Sequence, residues 1–236
     1  MMIIAILLML ALLSTSLVSG IFAKYVVTKD ASTVVSLKKF GVKLAIQQGD
    51  DFAASGATVT AGAISDSSLT ATVTVTLVPS TTAYDEIIKF VPTIDSTVGK
   101  ASVKTNIKVK AEVVALSNNS YNSKYYVPAA FYVNGSKASS EFISNTNANT
   151  LKTTLGNNIN GGIKTALGAG DADTNGFYSK QLVDANGTNV SIAKIGFGVS
   201  CPFTSTVTDA DAMITQLAEQ GATVTIKYTV SLEQAA

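Results

Sequence analysis

The sequence predicts an all-β fold, an antiparallel β-sandwich with short helical insertions behind an N-terminal hydrophobic leader helix. Three observations carry this expectation. Apolar and polar residues alternate strictly in several segments, the two-residue period of a strand buried on one face. Thr, Val, Ala, Ser, Asn and Gly dominate the chain; Thr and Val favour strands, while Asn and Gly supply turns. Most of these segments also lack the intervening helices that a parallel sheet needs, so antiparallel pairing in two packed sheets follows.

The leader comes first. Residues 1–13 are an unbroken apolar run, followed by Ser14, Thr15 and Ser16 and the small pair Ser19-Gly20. The run matches the apolar region of a secretory signal, with Ala23 as a small residue before a cut. The polar interruption favours cleavage. No Lys or Arg precedes the run, however, and residues 1–23 are uncharged and reach the roughly 20 residues of a bilayer span. A retained helix, as an anchor or in the core of a pilin-like filament, therefore stays open. The expected organisation is a leader over residues 1–23, an extended segment over 24–37 and a sandwich domain over 38–236.

The strands follow. Phe40, Val42, Leu44 and Ile46 alternate with Gly41, Lys43 and Ala45. In LTATVTVTLV, residues 69–78, Leu69, Ala71, Val73, Val75 and Leu77 share one face and Thr the other. Residues 103–113 place Val103, Thr105, Ile107, Val109, Ala111 and Val113 inward, and Lys104, Lys108, Lys110 and Glu112 outward. A strand over residues 125–133 is broken by Pro128 and closed by the turn Asn134-Gly135. Residues 190–199 form another, with Gly196 and Gly198 marking a bulge or a close approach. In the last, over residues 223–232, Val224, Ile226, Tyr228, Val230 and Leu232 share a face.

Two segments read as helical insertions at one end of the sandwich. Leu151, Leu155, Ile159, Ile163 and Leu167 recur every fourth residue, although Gly156 and Gly161-Gly162 are expected to break a continuous helix. Thr208 or Asp209 caps a second through Leu217, which Gly221 stops.

Composition excludes several function classes. The net charge is +1 and all 17 basic residues are Lys, so the basic patch and bidentate Arg contacts of nucleic-acid recognition are missing. No nucleic-acid partner is expected, and membrane contact only through the leader. The chain has no His and a single Cys, Cys201. That rules out an intramolecular disulfide, a thiolate cluster, a Ser-His-Asp arrangement and a His-based zinc site. No Ser–Lys spacing stands out. Cys201 reads as a small buried apolar residue, and Asp209 and Asp211 as carboxylates at a helix N-terminus. Catalysis is not expected.

The sharpest local motif is GDADTNGFY. Asp171, Asp173 and Asn175 fall at alternate positions and Gly176 follows, the first half of an acidic calcium loop. The position for the closing Glu holds Leu182, with Asp184 two residues further as a substitute. A structural calcium ion and a plain solvated Asp/Asn/Gly turn are both open readings; no other cofactor is expected.

Gly20-Ile21-Phe22-Ala23-Lys24-Tyr25, behind a hydrophobic leader and ahead of a Thr/Asp/Ser-rich stretch, resembles the TasA/camelysin family. A typical member has Gly-Thr-Phe/Tyr-Ala-x-Phe here; Ile21 and Tyr25 depart from it. Tyr126-Val127-Pro128, Tyr132-Val133-Asn134-Gly135 and Cys201-Pro202-Phe203 are similar to features of related clostridial sequences. The resemblance implies a jelly-roll sandwich, secretion through a dedicated signal peptidase, and polymerisation into extracellular matrix fibres. In those fibres the freed N-terminal segment completes a sheet of the next copy of the chain. Carried onto this sequence, the donor strand is residues 24–37, with Tyr25, Val27, Val34, Val35 and Leu37 as its apolar side chains. Camelysin-like proteins have been described as metallopeptidases, but this chain has no HExxH. The expected function is thus a secreted structural subunit of a biofilm-matrix or pilus-like filament. The alternatives are a monomeric surface adhesin, whose first strand stays in its own sandwich, and a pilin-like subunit that keeps its leader.

Overall fold

A computed structural model describes residues 33–37, 41–61, 68–78, 83–201 and 210–235. The leader, Tyr25, Val27, Phe40, Thr208 and Asp209 lie outside the described residues. In chain order the elements are β1 (Thr33–Leu37), β2 (Val42–Gln48), α1 (Phe52–Ser55), β3 (Thr58–Ala61), β4 (Ser68–Thr76), β5 (Tyr84–Ile94), β6 (Thr105–Ser117), β7 (Ser120–Tyr121), β8 (Lys124–Val127), β9 (Ala130–Val133), β10 (Ser136–Lys137), β11 (Ile143–Asn145), α2 (Ala148–Leu167), β12 (Tyr178–Val183), β13 (Ile195–Ser200), α3 (Ala210–Glu219) and β14 (Thr223–Gln234).

The fold is all-β, as the alternation predicts. One sheet has six strands in the order β1-β2-β5-β13-β9-β10, the second has five in the order β12-β6-β14-β4-β3, and a small third is β11-β8-β7. Every pair described is antiparallel. The two large sheets face each other. Val73, Val75, Ile226 and Tyr228 from one meet Ile88, Phe131, Phe197 and Val199 from the other around a gap of about 10 Å³. That is room for at most one water. β4 and β14 bury every second residue, and the Thr residues between them pair across the outer face, as in Thr74 with Thr225, whose hydroxyls are 3.0 Å apart.

The break expected at Pro128 is present, and it sends the two halves to different sheets: β8 joins the small sheet and β9 the six-stranded one. Asn134 and Gly135, with φ of +48° and +72°, then turn the chain from β9 into β10. The strand expected from residue 190 begins only at Ile195.

The largest correction is α2, an uninterrupted helix of 20 residues, about 30 Å long. It is no short insertion at the sandwich end. It touches β6 and β12 of one sheet and β9 and β10 of the other, and so walls off one side of the core. Asn147 caps it, accepting from the N–H groups of Asn149 and Thr150, and Gly168 ends it in a left-handed conformation. Leu151, Leu155, Ile159, Ile163 and Leu167 are all buried, each contributing roughly 1.5–3 kcal/mol. That exceeds the roughly 1 kcal/mol a helical Gly costs. Gly162 is also needed: a Cβ there would lie 2.4 Å from Cβ of Ala138 and 3.1 Å from Cγ2 of Val133. Asn160 completes the joint, accepting from N–H of Ala111 and donating to its carbonyl, each at 2.9 Å.

Candidate functional site

Part of the expected donor segment is described, as β1. Its register with β2 sets Thr33, Val35 and Leu37 opposite Ile46, Leu44 and Val42, and Val34 opposite Ala45. Ile46, Leu44 and Val42 belong to the main core cluster, whereas Ala45, though buried, does not. Of the predicted donor residues, Val35 and Leu37 are therefore paired in register with core-cluster residues and Val34 is not. Among the described strands β1 pairs only with β2, at the end of the sheet. β2 is fixed on its other side by seven consecutive pairs with β5, from Val42 with Ile94 to Gln48 with Ile88. A rigid strand edge is thus covered by one short strand.

The end of that edge is braced. Gly41 has φ +69°, and a Cβ there would lie 2.6 Å from the Lys100 carbonyl oxygen, so only glycine fits. Its own carbonyl accepts from N–H of Asp95 at 3.0 Å. Asp95 is buried and accepts from N–H of Thr97 at 2.9 Å and its hydroxyl at 2.7 Å, with the Lys43 ammonium at 3.0 Å. The Thr97 donors first, then Lys43, hold its carboxyl down at about 2.

An edge of this kind can do one thing chemically. Its N–H and C=O groups pair with an extended peptide, while alternate side chains of that peptide are read by the core. The same ladder forms whether the strand comes from its own chain or another copy.

The predicted calcium loop is docked elsewhere, on the outer face of β6. Asp173 accepts through Oδ1 from N–H of Asn175 at 2.9 Å and of Phe177 at 3.0 Å, and its Oδ2 lies 2.6 Å from Nζ of Lys108. Asp171 pairs with Lys164 at 2.8 Å, and Lys110 donates to the Asn175 carbonyl at 3.0 Å. The Phe177 ring sits 5.9 Å from the ammoniums of both Lys108 and Lys110. Leu182 is buried in β12, and Asp184 accepts from Gln181. Among the described residues no group of three or more His, Cys, Asp or Glu is placed to hold a metal ion. A calcium ion on this loop would have to displace Lys108 and Lys164.

The Lys108 ammonium, more than the two backbone donors, lowers the Asp173 carboxyl to about 2. An unfolded Asp titrates near 3.9, so the bound carboxylate stabilises the fold in full above that pH and progressively less as pH falls towards about 2. The Asp173→Asn variant should melt below wild type at pH 7, with the gap closing between roughly pH 5 and pH 2. Thermal melts across that range check it, and a gap independent of pH would refute the pairing.

Sequence reasoning missed one cluster. Glu86, 8% exposed, pairs with Lys194 and, at 3.1 Å, with Lys89, and its N–H donates to Asp51. Gly196 makes the room, since a Cβ there would lie 2.6 Å from Oε2 of Glu86. The one available signal was the Glu86–Lys89 spacing, which means nothing until the strand is known. Cys201 is buried, and burial pushes its thiol up to about 12. Asp211 stands in the first turn of α3. Compared with known proteins, the chain matches no family model, no curated sequence and no solved structure.

Proposed function

We propose that this chain is a secreted structural subunit of an extracellular filament of the TasA/camelysin type, exported through a signal peptidase and polymerised by exchange of its N-terminal strand. One observation carries the reading. The first strand described is a five-residue edge strand on an otherwise well-paired sheet, so another copy can supply it with no change to the ladder. Tyr25 and Val27 share the odd positions of Val35 and Leu37, so a donor extended upstream would present its apolar side chains to one face. Because each subunit donates at one place and accepts at another, the contact does not close and a filament grows. From β2 through β4 and β5 to β6, and again from β12 through β13 to β14, the chain crosses between the two large sheets, which supports the jelly-roll form of the sandwich.

A second reading, the monomeric adhesin, is favoured by a specific observation: β1 pairs with β2 of its own chain.

The test compares two purified proteins by negative-stain electron microscopy, one lacking residues 1–23 and one beginning at Lys38. Filaments from the first and discrete particles from the second are expected. Discrete particles from both would overturn strand donation and favour the adhesin. Filaments from both would place assembly outside residues 24–37.

A further inference from the structure

Four Asn-x-Ser/Thr triplets occur in the described residues, beginning at Asn118, Asn134, Asn186 and Asn189. Such a triplet is an acceptor for N-linked glycan where its Asn amide is free and its backbone can extend. The fold separates the four. Asn118, Asn134 and Asn186 sit in left-handed turns, with φ of +58°, +48° and +61°. Two of them also use their carboxamides: Asn118 donates to the Gln220 carbonyl at 2.8 Å, and Asn134 accepts from N–H of Gly196 at 2.7 Å. Asn186 is held through its backbone, its N–H donating to the Ala101 carbonyl at 2.9 Å. Asn189 is different. It is exposed, outside the left-handed region, and its carboxamide has no hydrogen bond to the described residues. Ser191, two residues on, is also exposed, and only its bonds to Leu182 and Gln181 at the end of β12 tie it down.

We propose that Asn189 is an N-glycosylation site. The inference rests on the secreted reading above, because the modifying enzyme acts at the membrane during or after export. The Asn189 Nδ2 forms a bond to the anomeric carbon of a sugar carried on a polyprenyl phosphate or diphosphate. The bond from that carbon to the phosphate oxygen breaks, the phosphate leaves with the electron pair, and the amide gives up one proton. The location has a physical consequence. β12 is one of the two edge strands of the five-stranded sheet, and a hydrated glycan just beyond it would obstruct edge-to-edge pairing there.

The experiment is intact-mass and peptide mass spectrometry of the native protein from the culture medium of its producing cells. Wild type and Ser191→Thr should carry a sugar mass on the peptide containing Asn189, while Asn189→Gln and Ser191→Ala should lose it. Extracellular protein with an unmodified Asn189 peptide would overturn the site and leave the secreted reading standing. Protein held inside the cells with its leader intact would overturn both. Sugar confined to Asn118, Asn134 or Asn186 would overturn the choice of site.

Discussion

Replacing Phe197 by alanine is expected to lower the unfolding free energy by about 3–5 kcal/mol. Phe197 lies in β13, 2% exposed, in the six-stranded sheet. Its ring stacks on Tyr228 of the opposite sheet at 3.9 Å between centroids and 23° between planes. Its edge-to-face pair with Phe90 has centroids 6.2 Å apart and planes at 85°. Such aromatic pairs contribute about 0.5–1.5 kcal/mol each beyond burial. The cost of truncation depends on whether the neighbours can close over the gap. Here they cannot, because Ile88, Phe131 and Ile226 sit on strands paired on both sides, and strands in a ladder do not shift singly. Urea unfolding should show a lower midpoint at an unchanged slope. A loss under about 1 kcal/mol would mean the two sheets are not in direct contact through this ring.

The same interior explains what could be read in the sequence. β4, β6 and β14 were legible because each has one face in the core and one in solvent, so every second residue reports its surroundings. β5 was not. Its register against β13 shifts between Phe197 and Val199, so the adjacent Ile87 and Ile88 both line the space between the sheets, and Pro92 is buried further on. Those features erase the alternation that marks a strand. In α2 the fourfold repeat of Leu and Ile was visible, but Gly162 looked like a breaker because its partner Ala138 is distant in the chain and known only from the fold. The spacing of Asp171, Asp173 and Asn175 was likewise legible, whereas Lys108 and Lys164, which engage the carboxylates, come from β6 and α2. For β1 the apolar residues were evident and their register was not. Separating Val35 and Leu37 from Val34 needs the pairing with β2.

Gly198→Ala should be nearly as damaging, at about 3 kcal/mol, the upper end for overpacking. A Cβ at this position would lie 2.2 Å from the Tyr84 carbonyl oxygen and 2.4 Å from the carbonyl carbon and oxygen of Asp85. These are backbone atoms, so no rotamer change relieves the clash. β13 cannot retreat either, because Gly198 faces Tyr132 on β9 and the strand is paired on that side from Phe197 to Ser200. The remaining response is to push the start of β5 outward, breaking the pair between Val199 and Tyr84. The damage would then pass to β2, whose other edge accepts β1 and whose Gln48 pairs with Ile88. Gly198→Ala should therefore lower the urea midpoint and, under the proposed strand exchange, reduce filament yield from protein lacking residues 1–23. A variant of wild-type stability would show that β5 and β13 are not so closely set. A destabilised variant that still polymerises at the wild-type rate would separate the acceptor edge from the β5–β13 contact and move the assembly site away from β2.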